Sequence, residues 1–271
     1  MKTVLYTVVY GKCDFVPKFS CTKPDCDCFI ITDQKDLANH LVRVGNIFKP
    51  ILTPPISDNT RKASRHIKCR PDLIFGDYDA SIYLDANLIV KMNIPHRIPT
   101  ILSKTNYAVC KHPRGISSSY DDGKRCIKER RDDPDVIRKQ LDYYKKCGYE
   151  EKHKNIPACG LLIRRHNEEE VKKFGEAWWG QILEYSERDQ ISWPFIRWKM
   201  NFKHAWIGDP GLSDLPGDLF KIIERRKHVQ RTYSYDITKT PTVIADDESQ
   251  GFPVADLVKN KFSIITDRSS K

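Results

Sequence analysis

The sequence predicts an α/β chain with a central, mostly parallel sheet flanked by helices. Three observations predict it. Short unbroken apolar runs bounded by turn residues recur along the chain, as strands buried on both faces require. Stretches with helical apolar spacing alternate with them. The polar residues that end the runs, Gly11, Asp33, Asp85 and His112, could converge on one cleft beyond the carboxyl ends of the strands, where ligands of such sheets bind.

The elements follow in order. Residues 3–10 (TVLYTVVY) are β-branched and aromatic, and Gly11 ends them. Residues 28–32 (CFIIT) form a second strand stopped by Asp33, and 36–44 suit a short helix. Residues 57–71 are polar and basic, with a helix expected around 61–68. The sharpest segment is 80–90 (ASIYLDANLIV), where the polar triplet Asp85-Ala86-Asn87 interrupts an apolar strand. Residues 107–110 are another strand, running into His112-Pro113-Arg114-Gly115, and 115–133 are polar and highly charged. Residues 134–148 form a helix with Pro134 near its first turn, Gly148 past its end, and Ile137, Leu141 and Tyr144 on one face. Residues 160–163 are a strand. Val171, Phe174, Trp178, Ile182 and Tyr185 then recur at helical spacing over 168–185. A further helix contains Ile191, Phe195 and Trp198, with Pro194 delaying or kinking it. Beyond Asn201 the pattern weakens, and 242–245 and 262–266 are expected as edge strands or as segments lying over the core.

Composition excludes several classes. With 271 residues the chain can bury a sizeable core without staples. No run approaches the ~20 apolar residues of a spanning helix. Only 13 Gly and 16 Pro exclude collagen-like and low-complexity chains. The net charge of +10 suits an anionic partner, whether nucleic acid, a membrane surface or a phosphorylated small molecule, or else a merely solvated basic surface. Nine cysteines, no signal peptide and no Asn-x-Ser/Thr sequon favour a reducing, cytoplasmic setting with free thiols. Cys21-x4-Cys26-Asp27-Cys28 fails the paired spacing of a zinc site.

Six groups of residues are candidates for chemistry. Asp85 and Asn87 offer two hard oxygen ligands that an extended chain would point to one side. That suits Mg²⁺ or Mn²⁺ with positions left for phosphate oxygens, and hence Lewis-acid assistance to a diphosphate leaving group. The same residue types also favour an ordinary turn. Arg65 and Lys68, three apart on a helix, share a face and would suit a diphosphate, or form a solvated basic face. Asp189 is a candidate catalytic carboxylate, and Gln190 a candidate for a sugar hydroxyl. Ser186-x-x-Asp189 also fits a capping box in which Asp189 satisfies an amide at the helix start. His204 is a candidate third metal ligand. Trp178 and Trp179 are candidates to stack on a sugar or base, though Trp178 lies on the apolar stripe and reads as core. The run Arg225-Arg226-Lys227-His228 could touch nucleic acid, but no nucleic-acid fold motif accompanies it.

The order of segments carries more than any one motif. A strand ending YG and a strand ending TD precede RHIK, then SIYLDANLIV, KHPRG, KRCIKERRDDPDVIRKQLDYYKKCGY, LLIRRHN, AWWGQI and SERDQISWPFI. From about residue 4 to residue 198 this resembles the TOD/MUCI glycosyltransferase-like domain family. The resemblance implies a GT-A-like, nucleotide-sugar-binding α/β fold and transfer of a sugar to a hydroxyl acceptor, a glycan or other. It implies a UDP-sugar donor and Mn²⁺ or Mg²⁺ on Asp85 and Asn87, although Asn87 departs from the second Asp of an Asp-x-Asp motif. It places Gly11 and Asp33 near the nucleotide and Arg65 and Lys68 at the donor phosphates. His112, Arg114, Asp189 and Gln190 would line the transfer site, and Glu129 matches an acidic position in the family's middle helix. The expected division is a catalytic domain over 1–205, bare of any anchor, and an extension over 206–271 that packs on the core or covers the acceptor side. Two other readings stand beside this one: a degenerate nucleotide- or glycan-binding module, motivated by Asn87, and a basic nucleic-acid-binding protein, motivated by the charge. No nucleophile constellation supports hydrolysis of a lipid amide.

Overall fold

The first strand, β1 (Thr3–Val9), is buried along all seven residues, and the sheet is built outward from it. The computed structural model describes residues 1–11, 16–19, 24–90, 94–112, 116–150 and 156–207, and the backbone of 220–222 and 242–243. β1 pairs in parallel with β3 (Asp27–Thr32) on one side and β5 (Ala80–Leu84) on the other. Beyond β3 lies β4 (Lys49–Leu52), also parallel, then β11 (Thr242–Val243), antiparallel. Beyond β5 lies β8 (Pro157–Arg164), antiparallel, followed by β7 (Tyr107–Lys111) and β9 (Ala205–Ile207). The eight-stranded order is β11-β4-β3-β1-β5-β8-β7-β9. Since β5 and β7 both oppose β8, they run with β1, so β1, β3, β4, β5, β7 and β9 all end at one edge. A small second sheet joins β2 (Lys18–Phe19), β6 (Leu88–Val90) and β10 (Phe220–Ile222).

Helices cover both faces of the sheet. One layer of core gathers Tyr6, Tyr83, Tyr107 and Val109 with α2 (Thr60–Cys69), α4 (Ser119–Lys128), α5 (Pro134–Lys146), α6 (Glu169–Glu184) and α7 (Asp189–Lys199). The other gathers Leu5, Ile30, Ile82 and Ile163 with α1 (Lys35–Arg43), β6 and α3 (Ile98–Ile101). This is why the strands read as unbroken apolar runs rather than as alternating ones.

The structure departs from the sequence reading in several elements. β4 has the sequence KPIL, and its Pro50 hides it, since proline cannot donate to a ladder. α4 falls in the stretch read only as charged. Ser118 caps it by accepting from the Asp121 amide, and its buried stripe is Tyr120, Gly123 and Cys126. β8 is twice the expected length and antiparallel. α7 begins at Asp189 and carries Pro194 inside it, so the proline does not delay the start. Of the expected tail strands, β11 pairs with β4, whereas 262–266 lie outside the described residues. The seven cysteines among the described residues are free, as expected.

α6 crosses α2 at Gly175. A Cβ there would stand 2.3 Å from the Cys69 carbonyl oxygen and 3.2 Å from Arg70 Cδ. Backbone cannot swing aside as a side chain can. The substitution Gly175→Ala should therefore cost about 2 kcal/mol, an overpacking loss of up to ~3 less the ~1 that alanine gains in a helix. Urea unfolding of the variant against the parent checks this.

Candidate active site

α2 sets the site, and its placement begins at Asn59. The Asn59 side-chain oxygen accepts from the Arg61 and Lys62 amides, closing the helix start. Its Nδ2 donates to Glu187, whose other oxygen takes Arg61 at 2.7 Å. Lys62 Nζ donates to the Leu183 and Tyr185 carbonyls at the end of α6. So fastened, α2 turns Arg65 and Lys68 toward the end of β5, three residues apart on one face as predicted.

Those two cations meet two carboxylates. Lys68 Nζ lies 2.5 Å from Asp189 Oδ2 and 3.4 Å from Asp85 Oδ1. The Arg65 guanidinium lies 3.4 Å from Asp189 and 3.9 Å from Asp85. Lys68 and Asp189 are almost wholly buried, with side chains 1% and 5% exposed, whereas Arg65 and Asp85 keep 19% and 27%. The Tyr83 hydroxyl donates to Asp85 Oδ1 at 2.9 Å, and the Lys68 ammonium sits 4.7 Å from the centre of the Tyr83 ring. Burial alone would raise the Asp189 carboxyl, but Arg65 and then Lys68 hold it far below the usual carboxylate range. The balance at Asp85 is similar: burial raises it, Lys68 and Arg65 outweigh burial, and it ends below its ordinary value.

Asp189 is not a cap. The residue before α7 is Arg188, with no side-chain capping bond. Ser186 instead accepts from the Arg188 amide and donates to Asp132, and Asp132 also accepts from the Glu187 amide. The capping-box expectation fails because Asp189 is the first helical residue and its carboxylate goes to α2. Its backbone oxygen accepts from the Trp178 indole at 3.0 Å, which makes Trp178 a core residue that steadies the site. Gln190 donates to the Pro157 carbonyl at 3.0 Å.

One strand away, Gly11 ends β1 with φ +68° and donates its amide to both Asp33 oxygens, at 3.0 and 3.2 Å. A Cβ on Gly11 would also stand 3.1 Å from the Thr60 hydroxyl at the head of α2, so glycine fits on both counts. Burial pushes the Asp33 carboxyl up, against the Gly11 hydrogen bond, which pulls it down.

The remaining candidates lie elsewhere. Glu129 is exposed at the end of α4, paired with Arg131. The His112 amide donates to Ile156 at the end of β7. Arg114 and the basic run 225–228 are outside the described residues. Asp85-Ala86-Asn87 is a turn, closed by Leu88 N to Asp85 O at 3.1 Å, rather than the extended chain that would aim both side chains together. His204 cannot join Asp85 on one ion. It precedes β9, three strand spacings from β5, which is about 14 Å laterally. Its ring is set edge-on between Trp193 and Trp206.

A family model described as the TOD1/MUCI70, glycosyltransferase-like domain matches residues 46–232, more than half of the chain. The chain belongs to the TOD1/MUCI70 glycosyltransferase-like family. Comparison with curated proteins found no match. The family match starts later than the resemblance read from the sequence and runs further. It takes in α2, Asp85 and Asp189 and leaves Gly11 and Asp33 to stand on their geometry. Among the described residues, no helix is long and apolar enough to cross a membrane.

A GT-A-like reading of this family member implies a divalent ion, and the donor set does not fit one. Among the described residues, no group of three or more His, Cys, Asp or Glu is placed to hold a metal. Asp85 Oδ1 is already shared by Tyr83, Lys68 and Arg65. Lys68 and Arg65 would oppose a dication placed on Asp85, and the negative charge of Asp85 and Asp189 is already met by those two cations.

Three residues around this charge cluster escaped the sequence reading: Tyr83, Gly160 and Arg164. Gly160 donates no side chain, and a Cβ there would stand 3.2 Å from Asp85 Oδ2. Arg164 is almost wholly buried. It donates to the Lys68 carbonyl at 2.8 Å and the Tyr6 hydroxyl at 2.6 Å, and lies 5.9 Å from the Tyr107 ring centre. The one signal for it in the sequence is a charge directly after the apolar run LLI of LLIRRHN.

Acid should loosen this assembly in two stages. Burial, and then Arg70, lower His66 on α2 to about 4, and burial lowers His166 to about 4. Between pH 6.5 and 4 the unfolded chain takes up protons that the folded one refuses. Stability therefore falls with falling pH, by up to about 1.4 kcal/mol per pH unit for each histidine. Below pH 4 the depressed Asp189 and Asp85 add their own loss, as their ion pairs are present above the unfolded carboxylate pKa and vanish as they protonate. Denaturant midpoints from pH 7 to pH 3 test this, and His66→Gln should flatten the upper stage.

Proposed function

We propose that the chain is a glycosyltransferase that moves a sugar from a nucleotide-sugar donor, a UDP-sugar, to a hydroxyl of a glycan or other acceptor. The observation that carries this reading is the pair of cations, Arg65 and Lys68, held by Asp85 and Asp189 at the carboxyl ends of the strands. In the reaction the bond from the anomeric carbon to the phosphate oxygen breaks, the acceptor oxygen bonds to that carbon, and the acceptor's hydroxyl proton passes to the departing diphosphate or to water. Negative charge grows on the departing diphosphate. Fixed cations aimed at that charge, in a site largely closed to water, are worth far more than in solution and need no rearrangement as the bond breaks.

Asp189 is better suited to positioning than to proton transfer. A general base works best with a pKa near the working pH, and Arg65 and Lys68 hold this carboxyl far below it. We assign Asp189 and Asp85 the holding of Lys68 and Arg65. Gly11 and Asp33, one strand over, are assigned to the nucleoside, and Gln190 to the sugar. The family match supports the transferase class, while donor, acceptor and residue roles are the reading offered here.

A panel of nucleotide sugars tested for hydrolysis and transfer checks it. Release of a nucleoside diphosphate should be detected with one donor class. Arg65→Met should lower kcat by about 10²–10³-fold, the usual loss when one charge-stabilising group is removed. Binding without turnover on every donor would identify a binding module instead.

A further inference from the structure

We infer that the diphosphate site works without a divalent ion, with Lys68 and Arg65 standing where the metal was expected. The inference rests on the reading above that the site takes a nucleoside diphosphate. Four observations carry it. Both carboxylates that could hold a metal are turned onto the same two cations, at 2.5 and 3.4 Å for Lys68 and 3.4 and 3.9 Å for Arg65. The four formal charges cancel, so the cluster has no surplus of negative charge to draw a dication. His204 is displaced by the sheet topology, and Asn87 lies in a turn. Lys68 is itself held in place: Tyr83 lies under its ammonium, Asp189 beside it, and Arg164 holds its backbone carbonyl.

The exposures say how a diphosphate would enter. Asp85 and Arg65 are the two members still in contact with solvent. An incoming anion can take Arg65, and Lys68 behind it, by displacing the weaker Asp85 contacts while the short Asp189 contact remains. Charge-assisted bonds from a guanidinium to phosphate are strong and geometrically selective. The site then exchanges one anion for another and needs no ion to bridge them.

Calorimetric titration of UDP and GDP into the full chain, in EDTA and in Mn²⁺, tests this. One nucleotide should bind in EDTA with a Kd within about two-fold of that in Mn²⁺. Arg65→Met should weaken binding about 10- to 100-fold in both buffers, the loss of a charged hydrogen bond. Lys68→Met should weaken it further. Arg65 is the safer variant, since it leaves the Lys68–Asp189 pair in place. Tenfold or greater tightening by Mn²⁺ that Asp85→Asn removes would overturn the inference and leave the transferase reading standing. No binding of either nucleotide in either buffer would instead overturn the nucleotide reading on which it rests.

Discussion

The contact between Lys68 and Asp189 is the constraint around which the rest is arranged. It joins α2 to the first residue of α7 across 121 positions of sequence. Both groups are buried, and a buried charge is tolerated only when paired and hydrogen-bonded. Much of the nearby structure supplies that pairing. Trp178 holds the Asp189 backbone, Tyr83 underlies the ammonium, and Arg65 adds a second positive charge to the carboxylate. Removal of either partner would leave the other buried with only its longer contact, Asp189 to Arg65 or Lys68 to Asp85, so the pair ties the chemistry of the site to the packing of the sheet.

The reversed strand β8 explains how so many groups meet at one edge. Parallel strands bring only their last residues there. β8 brings its first ones, so Pro157 offers a carbonyl to Gln190 and Gly160 makes room beside Asp85. Its last residues reach the opposite edge, where His166 meets the Phe75 carbonyl and Asn167 spans the Gly76 and Tyr78 carbonyls. The segment LLIRRHN is thus a set of fasteners for neighbouring loops, and its density of polar residues follows from how many backbone oxygens it must satisfy.

Much of this was legible in the sequence. The i, i+3 spacing of Arg65 and Lys68 gave their common face, and the apolar flanks of Asp85 marked a purposeful polar break. The α/β alternation and its GT-A-like family resemblance gave the fold. The illegible parts have physical causes. An aspartate near a helix start has the same local pattern whether it caps the helix or pairs with a distant lysine, so the role of Asp189 needed the tertiary structure. The distance of His204 from Asp85 depends on strand order, which local sequence does not encode. β4 was hidden by Pro50 and α4 by its charges, both cases where packing overrides local preference. The direction of β8 leaves no trace in a run of apolar residues buried on both faces.

The fastening of α2 has one more consequence. Asn59 and Arg61 tie its first turn to Glu187, while Arg164 and Tyr6 grip the carbonyls of Ile67 and Lys68 in its last. A rod pinned at both ends cannot slide along its axis. Whatever moves when a ligand arrives must therefore be side-chain torsion at Arg65 and Asp85, on the nanosecond scale of exposed rotamers rather than the slower scale of helix displacement. In hydrogen-exchange terms, α2 is expected to open with the strands that hold its last turn, β1 through Tyr6 and β8 through Arg164.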